Sequence, residues 1–332
     1  MDSRRRTLLA GAAGAGPALL LSKSEPPENL QVLGTEHWPV KDAGGEKVRL
    51  FAWRKRTLNA PKGALVFVHG SSVQSTPVFD LQVPGKPEYS VMDWFARLGY
   101  DTWCFDCEGY GRSDKSRPIN ADIATGADDL QAVADYVARQ TGSSRVFLYG
   151  ASSGALRAAL YAQRHPQRVA RIALDAFVWT GDGSPTLAER RRRLPEYKAS
   201  NRRPIDRAFI RSIFTRDGAG EAADPAVVEA FADAVLALDD SMPTGTYVDM
   251  TEKLPLIDPE RFLVPTLILR GQWDGIATLE DVMGFFARIR NADKQLAMIP
   301  AGHVSLRSRN WQSAYHLLDA FFSQPPAAFT GS

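Results

Sequence analysis

Two adjacent serines, Ser152 and Ser153, lie between a short apolar run and a helical pattern in "RVFLYGASSGALRAAL". The spacing Gly-x-Ser-x-Gly between a strand and a helix is typical of a sharp turn that exposes a nucleophilic serine. Such a turn leaves room only for very small side chains two residues before and two residues after the nucleophile. Ser152 has Gly150 and Gly154 there, whereas Ser153 would have alanines. We therefore predict Ser152 as the nucleophile and Ser153 as a donor of its backbone N–H.

A serine hydroxyl needs a base that takes its proton, and His303 is the histidine whose position fits that role. It follows the last strand-like run through a glycine turn in "IPAGHVSL", so it can reach over the edge of a sheet. We expect the other four histidines to be structural. They are His37, His69, His165 and His316.

The base in turn needs a carboxylate that fixes its tautomer and stabilises the imidazolium ion. Two aspartates follow strand-like runs and are candidates for this acid. Asp274 comes directly after "PTLILRGQW", and Asp175 ends the run "RIALD". The residues alone leave both candidates open.

Short apolar runs alternate with helical patterns along most of the chain. The runs "ALVFVHG", "DTWCFD", "RVFLYG", "RIALDAF", "PTLILRG" and "QLAMIP" indicate buried parallel strands, and "KVRLFAWRKRT" alternates like one further strand. Amphipathic helical patterns such as "ADDLQAVADYVARQ" lie between them. This alternation predicts an α/β fold with a doubly wound, mostly parallel sheet. Ligands bind at the carboxyl ends of the strands in such sheets, which is where the candidate residues are expected.

Residues 178–260 interrupt this alternation, because they carry helical patterns such as "AVVEAFADAVLAL" and no convincing strand. The strand-like runs resume afterwards. We therefore predict that the segment is inserted after the sixth strand and that residues 25–177 and 261–332 form one core domain.

In this arrangement the chain resembles the α/β-hydrolase fold superfamily, in its serine esterase and lipase-like branch with a helical cap. The resemblance covers nearly everything after the first 24 residues and rests on "VFVHGSS", "FDCEGYGRSD", "GASSG", "GQWDG" and "AGH" in that order. It implies that Ser71 supplies a second oxyanion N–H beside that of Ser153. It also implies that Asp274 is the acid, since that superfamily uses Gly-x-x-Asp after a strand, and that residues 178–260 form the cap.

The resemblance further implies that Asp106, Gly109 and Gly111 are scaffold residues beside the site. Trp179 and Trp273 are expected to flank the pocket and contact the substrate. No zinc motif and no glycine-rich phosphate loop occurs in the sequence, so neither a metal nor a cofactor is predicted.

A serine, histidine and aspartate with two oxyanion donors predict acyl transfer through an acyl-enzyme. We expect the substrate to be a carboxylic ester of a small molecule. Lactones, amides and C–C bonds are open to the same triad. A binding protein of the same fold without useful turnover is the alternative of a different class.

The charge of the chain argues against nucleic acid as a partner, because 40 basic and 38 acidic residues leave a net charge of only +2. Basic residues concentrate between Arg190 and Arg216, where only Glu196 and Asp206 oppose them. Charge runs usually face water. The sharper alternative is that some of these guanidinium groups face the pocket and bind the carboxylate of an anionic ester. The basic residues are Arg190, Arg191, Arg192, Arg193, Lys198, Arg202, Arg203, Arg207, Arg211 and Arg216.

The first 24 residues are interpreted as an export signal, with a disordered basic tail as the alternative. Three arginines, Arg4 to Arg6, precede an uncharged stretch from Thr7 to Leu21 that is too short to span a bilayer. The pattern is similar to a twin-arginine signal. We therefore expect a periplasmic or secreted protein without a stable membrane anchor, and the sequence leaves its oligomeric state open.

The only two cysteines, Cys104 and Cys107, form a Cys-x-x-Cys that leads into a glycine-rich loop. A thioredoxin-like motif would instead open a helix. Free thiols are therefore favoured over a vicinal disulfide.

Replacing Arg4, Arg5 and Arg6 by lysine is expected to keep the precursor in the cytoplasm, because the twin-arginine route reads guanidinium groups. Fractionation of a bacterial host that expresses each version measures the effect. Unchanged export of the lysine version would point to the general secretory route. A wild-type chain that stays in the cytoplasm would contradict the export signal altogether.

Overall fold

A computed structural model describes residues 30–60 and 62–329 of the chain, so the predicted export signal lies outside the described residues. Twelve strands occur among them: β1 (Leu33–His37), β2 (Val40–Ala43), β3 (Glu46–Arg49), β4 (Ala52–Arg56), β5 (Ala64–Val68), β6 (Asp101–Phe105), β7 (Val146–Ala151), β8 (Val169–Asp175), β9 (Arg202–Pro204), β10 (Ser241–Pro243), β11 (Thr266–Gly271) and β12 (Lys294–Ile299).

Eleven α-helices occur in the same described ranges, and none of them is long and apolar enough to cross a bilayer. The helices are α1 (Ser75–Phe79), α2 (Val91–Arg97), α3 (Ile123–Thr141), α4 (Ser153–Arg164), α5 (Pro185–Arg192), α6 (Leu194–Ala199), α7 (Arg207–Thr215), α8 (Pro225–Leu236), α9 (Gly245–Val248), α10 (Leu279–Arg288) and α11 (Trp311–Ser323).

The main sheet has eight strands in the order β1-β4-β6-β5-β7-β8-β11-β12. The six strands from β6 to β12 in that order pair in parallel, and β4 and β1 pair antiparallel at one edge. Parallel neighbours require crossover connections, and α2, α3, α4 and α10 lie in those connections. The predicted doubly wound, mostly parallel α/β sheet is confirmed.

The apolar runs form the central strands, because a parallel sheet is covered on both faces and its strands need apolar residues at consecutive positions. Every residue of β5 and of β6 is buried. The buried carboxylate of Asp101 in β6 is paired, since it accepts two hydrogen bonds from the guanidinium of Arg54, at 2.8 and 2.5 Å. The core therefore holds rigidly the strand ends at which the candidate residues lie.

The prediction of one strand over residues 47–57 is wrong. The structure separates β3, which forms a hairpin with β2, from β4, which joins the main sheet. Leu50 and Phe51 between them are fully buried and carry the chain from the hairpin into the sheet. The two strands are therefore separated by a buried apolar pair, which the alternating pattern did not reveal.

The segment between β8 and β11 contains α5 to α9. Its helical character agrees with the prediction, but it also holds a short antiparallel pair, β9 and β10, that was not predicted. Strands of three residues are too short to leave a recognisable alternation. We call residues 178–260 the insertion; its boundaries stay a prediction.

The insertion is held over the loops that follow β5 and β6. The carboxylate of Asp239 accepts hydrogen bonds from Nε2 of Gln74 at 2.9 Å and from the N–H of Gly111 at 2.6 Å, and it pairs with Lys115. Arg202 donates to the carbonyl of Gly109 at 2.7 Å. The insertion and the core therefore share hydrogen bonds next to the candidate site.

The loop "DCEGYGRSD" has the structural role expected of it. The buried carboxylate of Asp106 accepts from the backbone N–H of Ser75, at the start of α1, and from that of Arg112. Gly111 has a φ of 51°, and a Cβ there would lie 2.1 Å from Oδ2 of Asp106. Only glycine fits at this position, so Asp106 and Gly111 together shape the loop.

Cys104, in β6, and Cys107 are buried free thiols. Burial raises the pKa of Cys107 to about 12. The thiol form is therefore favoured at neutral pH, and the favoured prediction of free cysteines agrees with the structure.

Candidate active site

Ser152 lies at the sharp turn between β7 and α4, with φ 57° and ψ −125°. A non-glycine residue rarely adopts a positive φ, and such strain is commonly found at functional sites. A Cβ on Gly150 would lie 2.5 Å from the carbonyl oxygen of Gly154, and one on Gly154 would lie 2.2 Å from that of Val68. The turn therefore requires glycine on both sides of Ser152, as the spacing predicts.

The loop after β5 passes directly beside this turn. A Cβ on Gly70 would lie 3.4 Å from Cβ of Ser152. Oγ of the next residue, Ser71, donates to Oγ of Ser153 at 2.6 Å. Ser153 begins α4, so its backbone N–H is one of the first four in the helix, which have no intrahelical acceptor. The structure thus brings together the two residues predicted to donate to an oxyanion.

His303 and Asp274 form the hydrogen-bonded pair that the sequence predicts. Nδ1 of His303 lies 2.9 Å from Oδ1 and 3.0 Å from Oδ2 of Asp274. The carboxylate also accepts from the backbone N–H groups of Ile276 at 2.8 Å and Ala277 at 3.2 Å. A carboxylate only accepts hydrogen bonds, so Nδ1 of the imidazole carries hydrogen, and in the neutral imidazole the free lone pair lies on Nε2.

The environment of Asp274 favours its ionised form. Burial alone would raise the pKa of this carboxyl. The imidazole of His303 and the N–H groups of Ile276 and Ala277 outweigh burial, so the pKa lies below its usual value. Asp274 can therefore stabilise an imidazolium ion at neutral pH.

Ser152 and His303 line the same cavity. Ser71 lies in its wall as well. No hydrogen bond joins Oγ of Ser152 to the imidazole in the described part of the chain. Catalytic hydrogen bonds commonly tighten only when substrate binds, and the shared cavity allows Ser152 and His303 to act on one substrate.

Asp175, the alternative acid, also lies in the cavity wall but is not bonded to the imidazole. Its carbonyl accepts from the N–H of Ser152 at 2.8 Å. Its carboxyl accepts from the hydroxyls of Tyr149, at 2.5 Å, and Ser305. Burial raises the pKa of Asp175 to about 6 despite these bonds. The structure thus favours Asp274 over Asp175 as the partner of His303.

Two other histidines have structural contacts that agree with their predicted role. Nε2 of His69 accepts from the N–H of Cys107 at 3.0 Å, and burial near Arg157 lowers the pKa of His69 to about 3. His37 is hydrogen-bonded to Tyr136 at 3.1 Å. Neither of these histidines lines the cavity.

The two tryptophans predicted to contact substrate are not among the residues that line the cavity. Nε1 of Trp179 donates to the carbonyl of Ile257 at 3.1 Å, and its ring packs on Phe285. Trp273 is 53% exposed. The geometry therefore gives no support to a substrate-binding role for either residue.

The basic run between Arg190 and Arg216 divides into two groups. Most members face water or bind the protein itself; Arg192, Arg193 and Arg211, for example, form surface ion pairs. Arg190 and Arg216 instead line the cavity with Ser152 and His303. Neither takes part in the ion pairs formed by the described residues, and Nε of Arg216 is buried without a hydrogen-bond partner among them.

The insertion also makes contacts with the site that the sequence did not predict. Asp217, next to Arg216, accepts from the backbone N–H of His303 at 3.1 Å. Tyr247 in α9 contacts Ser72 beside the predicted oxyanion donor. No pattern in the sequence signals these contacts, because they join residues that are far apart in the chain.

The strand order and the strained serine turn are those of the α/β-hydrolase fold. Residues 59–303 match the family described as serine aminopeptidase, S33. This match covers more than half of the chain, and the chain belongs to that family. It is a hydrolase of the α/β-hydrolase superfamily.

One curated relative matches less than half of the chain. The 2-hydroxy-6-oxononadienedioate/2-hydroxy-6-oxononatrienedioate hydrolase of Paraburkholderia phymatum is 30% identical over 145 residues, which are 43% of this chain and 44% of that protein. The chain thus matches less than half of that relative's length.

Solved structures share the fold at low sequence identity. A hydrolase from Pseudomonas aeruginosa has a TM-score of 0.65 at 19% identity, over 90% of this chain and 99% of that chain. An esterase from Thermogutta terrifontis, solved with malate bound, has a TM-score of 0.63 at 20% identity, over 87% of this chain and 100% of that chain. At these identities the likeness establishes the fold alone.

The raised pKa of Asp175 predicts a pH-dependent cost to stability. The folded chain holds this proton up to about pH 6, whereas an unfolded aspartate loses it near pH 4. Stability therefore falls as pH rises between these values, by up to about 3 kcal/mol. Asp175→Asn keeps an acceptor for Tyr149 and Ser305 but does not titrate. Urea unfolding of both proteins between pH 4 and pH 7 should show the wild type losing stability relative to the variant; a constant difference would contradict the burial argument.

Proposed function

We propose that the protein is a serine hydrolase that cleaves a carboxylic ester of a small molecule through an acyl-enzyme. The observation that carries this proposal is that His303, hydrogen-bonded to Asp274, lines the same cavity as Ser152, whose backbone is strained at the turn. A base oriented by an ionised carboxylate, in one cavity with a half-buried serine, can perform nucleophilic catalysis.

In the first half of the reaction, Oγ of Ser152 attacks the ester carbonyl while Nε2 of His303 takes its proton. The backbone N–H groups of Ser71 and Ser153 stabilise the oxyanion. The intermediate collapses, the C–O bond to the alcohol breaks, and His303 returns the proton to the leaving alkoxide. Asp274 stabilises the imidazolium ion during this step.

In the second half, water attacks the acyl-enzyme and gives one proton to Nε2 of His303. The same donors stabilise the second oxyanion. The bond between the acyl carbon and Oγ of Ser152 then breaks, and the proton returns to Oγ. The products are one carboxylic acid and one alcohol, and the enzyme is regenerated.

The lining of the cavity supports a small-molecule substrate. Ligand pockets are commonly lined by apolar side chains with a few polar groups that orient the ligand, and this cavity has such a lining. Apolar side chains such as Val78, Ile213 and Phe231 share its wall with the polar groups. The esterase from Thermogutta terrifontis has the same fold, which is compatible with ester hydrolysis but does not select it.

Two alternatives use the same site. Cleavage of lactones, amides and C–C bonds needs the same nucleophile, base and oxyanion donors. The Paraburkholderia relative is named as a hydrolase of 2-hydroxy-6-oxo dioates, so a keto acid of this kind is a suitable substrate to test. A binding protein without turnover would keep the cavity, but its ligand binding would not depend on the hydroxyl of Ser152.

An anionic ester is the substrate class that the charges of the cavity support. Arg190 and Arg216 line it without an ion-pair partner among the described residues. Burial, together with the neighbouring Arg190, lowers the pKa of Arg216. A carboxylate on the substrate would relieve both the repulsion between these cations and the lack of hydrogen-bond partners.

Ser152→Ala is expected to lower kcat by on the order of a millionfold, because it removes the nucleophile. Ser153→Ala is the matched control. It removes the neighbouring hydroxyl but keeps the backbone N–H, so it should lower kcat far less. Turnover of p-nitrophenyl acetate by both variants measures the difference. An inactive Ser153 variant beside an active Ser152 variant would show that the nucleophile is the other serine.

The anionic substrate is tested with a monoester of a dicarboxylic acid and its uncharged diester. Wild-type kcat/KM should be higher for the monoester, and raising the salt concentration should narrow the gap. Arg216→Gln should lower kcat/KM for the monoester by about 10- to 100-fold, because it removes hydrogen bonds to a charged group, and should leave the diester nearly unchanged.

Arg211→Gln is the matched control, since Arg211 lies in α7, the helix that ends directly before Arg216, but is exposed and paired with Glu229. It should change neither rate. Equal wild-type rates for the two esters would show that Arg190 and Arg216 do not select an anion.

A further inference from the structure

A hydrogen-bonded triangle joins the insertion to the loop that carries a predicted oxyanion donor. The hydroxyl of Tyr247, in α9, lies 2.6 Å from Oγ of Ser72. Nη2 of Arg203, in β9, donates to the hydroxyl of Tyr247 at 2.7 Å and to Oγ of Ser72 at 3.1 Å. Ser72 directly follows Ser71 and also lines the cavity. Two residues of the insertion thus hold a residue beside the predicted oxyanion donor.

The loop is held from the core side as well. The hydroxyl of Tyr110 donates to the carbonyl of Ser71 at 3.1 Å, and Oγ of Ser71 donates to Ser153 at 2.6 Å. The hydrogen bond between Tyr247 and Ser72 therefore holds this loop from the side of the insertion as well. An oxyanion donor is effective only when it is held in place before the reaction.

The surroundings of Tyr247 fix its ring in one position. It is 3% exposed. The guanidinium groups of Arg190 and Arg203 each lie 4.4 Å from the centroid of its ring. The ring of Tyr197 packs at 5.1 Å. A hydroxyl on a ring packed in this way has little freedom, which suits a group that positions another.

We propose that Tyr247 is a positioning residue that acts through Ser72 to hold the backbone of Ser71 where the oxyanion forms. This inference rests on the proposed serine-hydrolase function. It adds a residue of the insertion to the machinery of catalysis, although Tyr247 itself does not touch the reacting atoms. A misplacement of about 1 Å in such a donor is enough to slow catalysis by up to about a hundredfold.

Titration of Tyr247 gives a signature that packing alone would not produce. Burial would raise the pKa of this phenol, but Arg203, Arg190, Ser72 and Arg216 outweigh burial and lower it to about 8. Above that pH a phenolate accepts charge-assisted hydrogen bonds from both Arg203 and Ser72, which are stronger than neutral ones. Wild-type kcat should therefore rise through about pH 8.

The groups that face this phenol come from several elements. Tyr197 on α6 packs against its ring, and Arg190 on α5 and Arg216 at the end of α7 act on it through their charge. Their net charge is positive, so Arg190 and Arg216 lower the pKa of Tyr247 together with Arg203.

A double-mutant cycle tests the proposal with Tyr247→Phe, Ser72→Ala and the double variant. Each single change should lower kcat about tenfold and leave KM for a neutral ester within roughly twofold, because the loss falls on the transition state. The double variant should be no slower than either single variant, since both changes break one interaction. Tyr247→Phe should also lack the rise in kcat near pH 8.

Tyr197→Phe is the matched control, because it removes a hydroxyl from the same aromatic cluster without touching Ser72. It should keep wild-type kcat and the same pH profile. A loss of kcat equal to that of Tyr247→Phe would show that aromatic packing, and not the hydroxyl, matters. Additive losses in the double variant would likewise overturn the proposal.

Failure of this inference is distinguishable from failure of the proposed function. Wild-type kcat in Tyr247→Phe beside an inactive Ser152→Ala would overturn only the role of Tyr247. An active Ser152→Ala would overturn the serine mechanism itself, and the inference with it. If Tyr247→Phe unfolds below the assay temperature, Ser72→Ala decides alone by its kcat and pH profile.

Discussion

The backbone conformation at Ser152 is the constraint on which the rest of the site depends. Holding a non-glycine residue at a φ of 57° costs about 1–3 kcal/mol, and close packing around Gly150 and Gly154 maintains it. The same packing presses the loop after β5 against the turn, so Ser71 lines the same cavity as Ser152. Strain at one residue thus decides where a nucleophile and an oxyanion donor can meet.

Two buried carboxyl groups, Asp175 at this turn and Asp274 beside His303, have surroundings that shift their pKa values in opposite directions. Asp274 faces an imidazole and two backbone N–H groups, which favour its ionised form. Asp175 receives its hydrogen bonds from the hydroxyls of Tyr149 and Ser305, which do not offset burial. An imidazole base needs an ionised partner. The electrostatic environment therefore separates the two candidate acids as clearly as their distances do.

The central strands and the serine turn could be predicted, because strands buried on both faces leave continuous apolar runs and the turn demands glycine on both sides of Ser152. The choice between Asp274 and Asp175 could not be made from the residues alone, since both follow buried strands. The pairing of β9 with β10 left no pattern in three-residue strands. The contact of Tyr247 with Ser72 joins residues 175 positions apart, which no periodicity reveals.

The central claim is that Ser152 is an activated nucleophile, and covalent labelling of the wild-type protein tests it most directly. A fluorophosphonate reacts when an activated serine oxygen attacks phosphorus and displaces fluoride. Mass spectrometry of the intact protein and of its peptides should find one phosphonyl group, on Oγ of Ser152. A protein that takes up no label, or that carries the label on Ser153, would contradict the account.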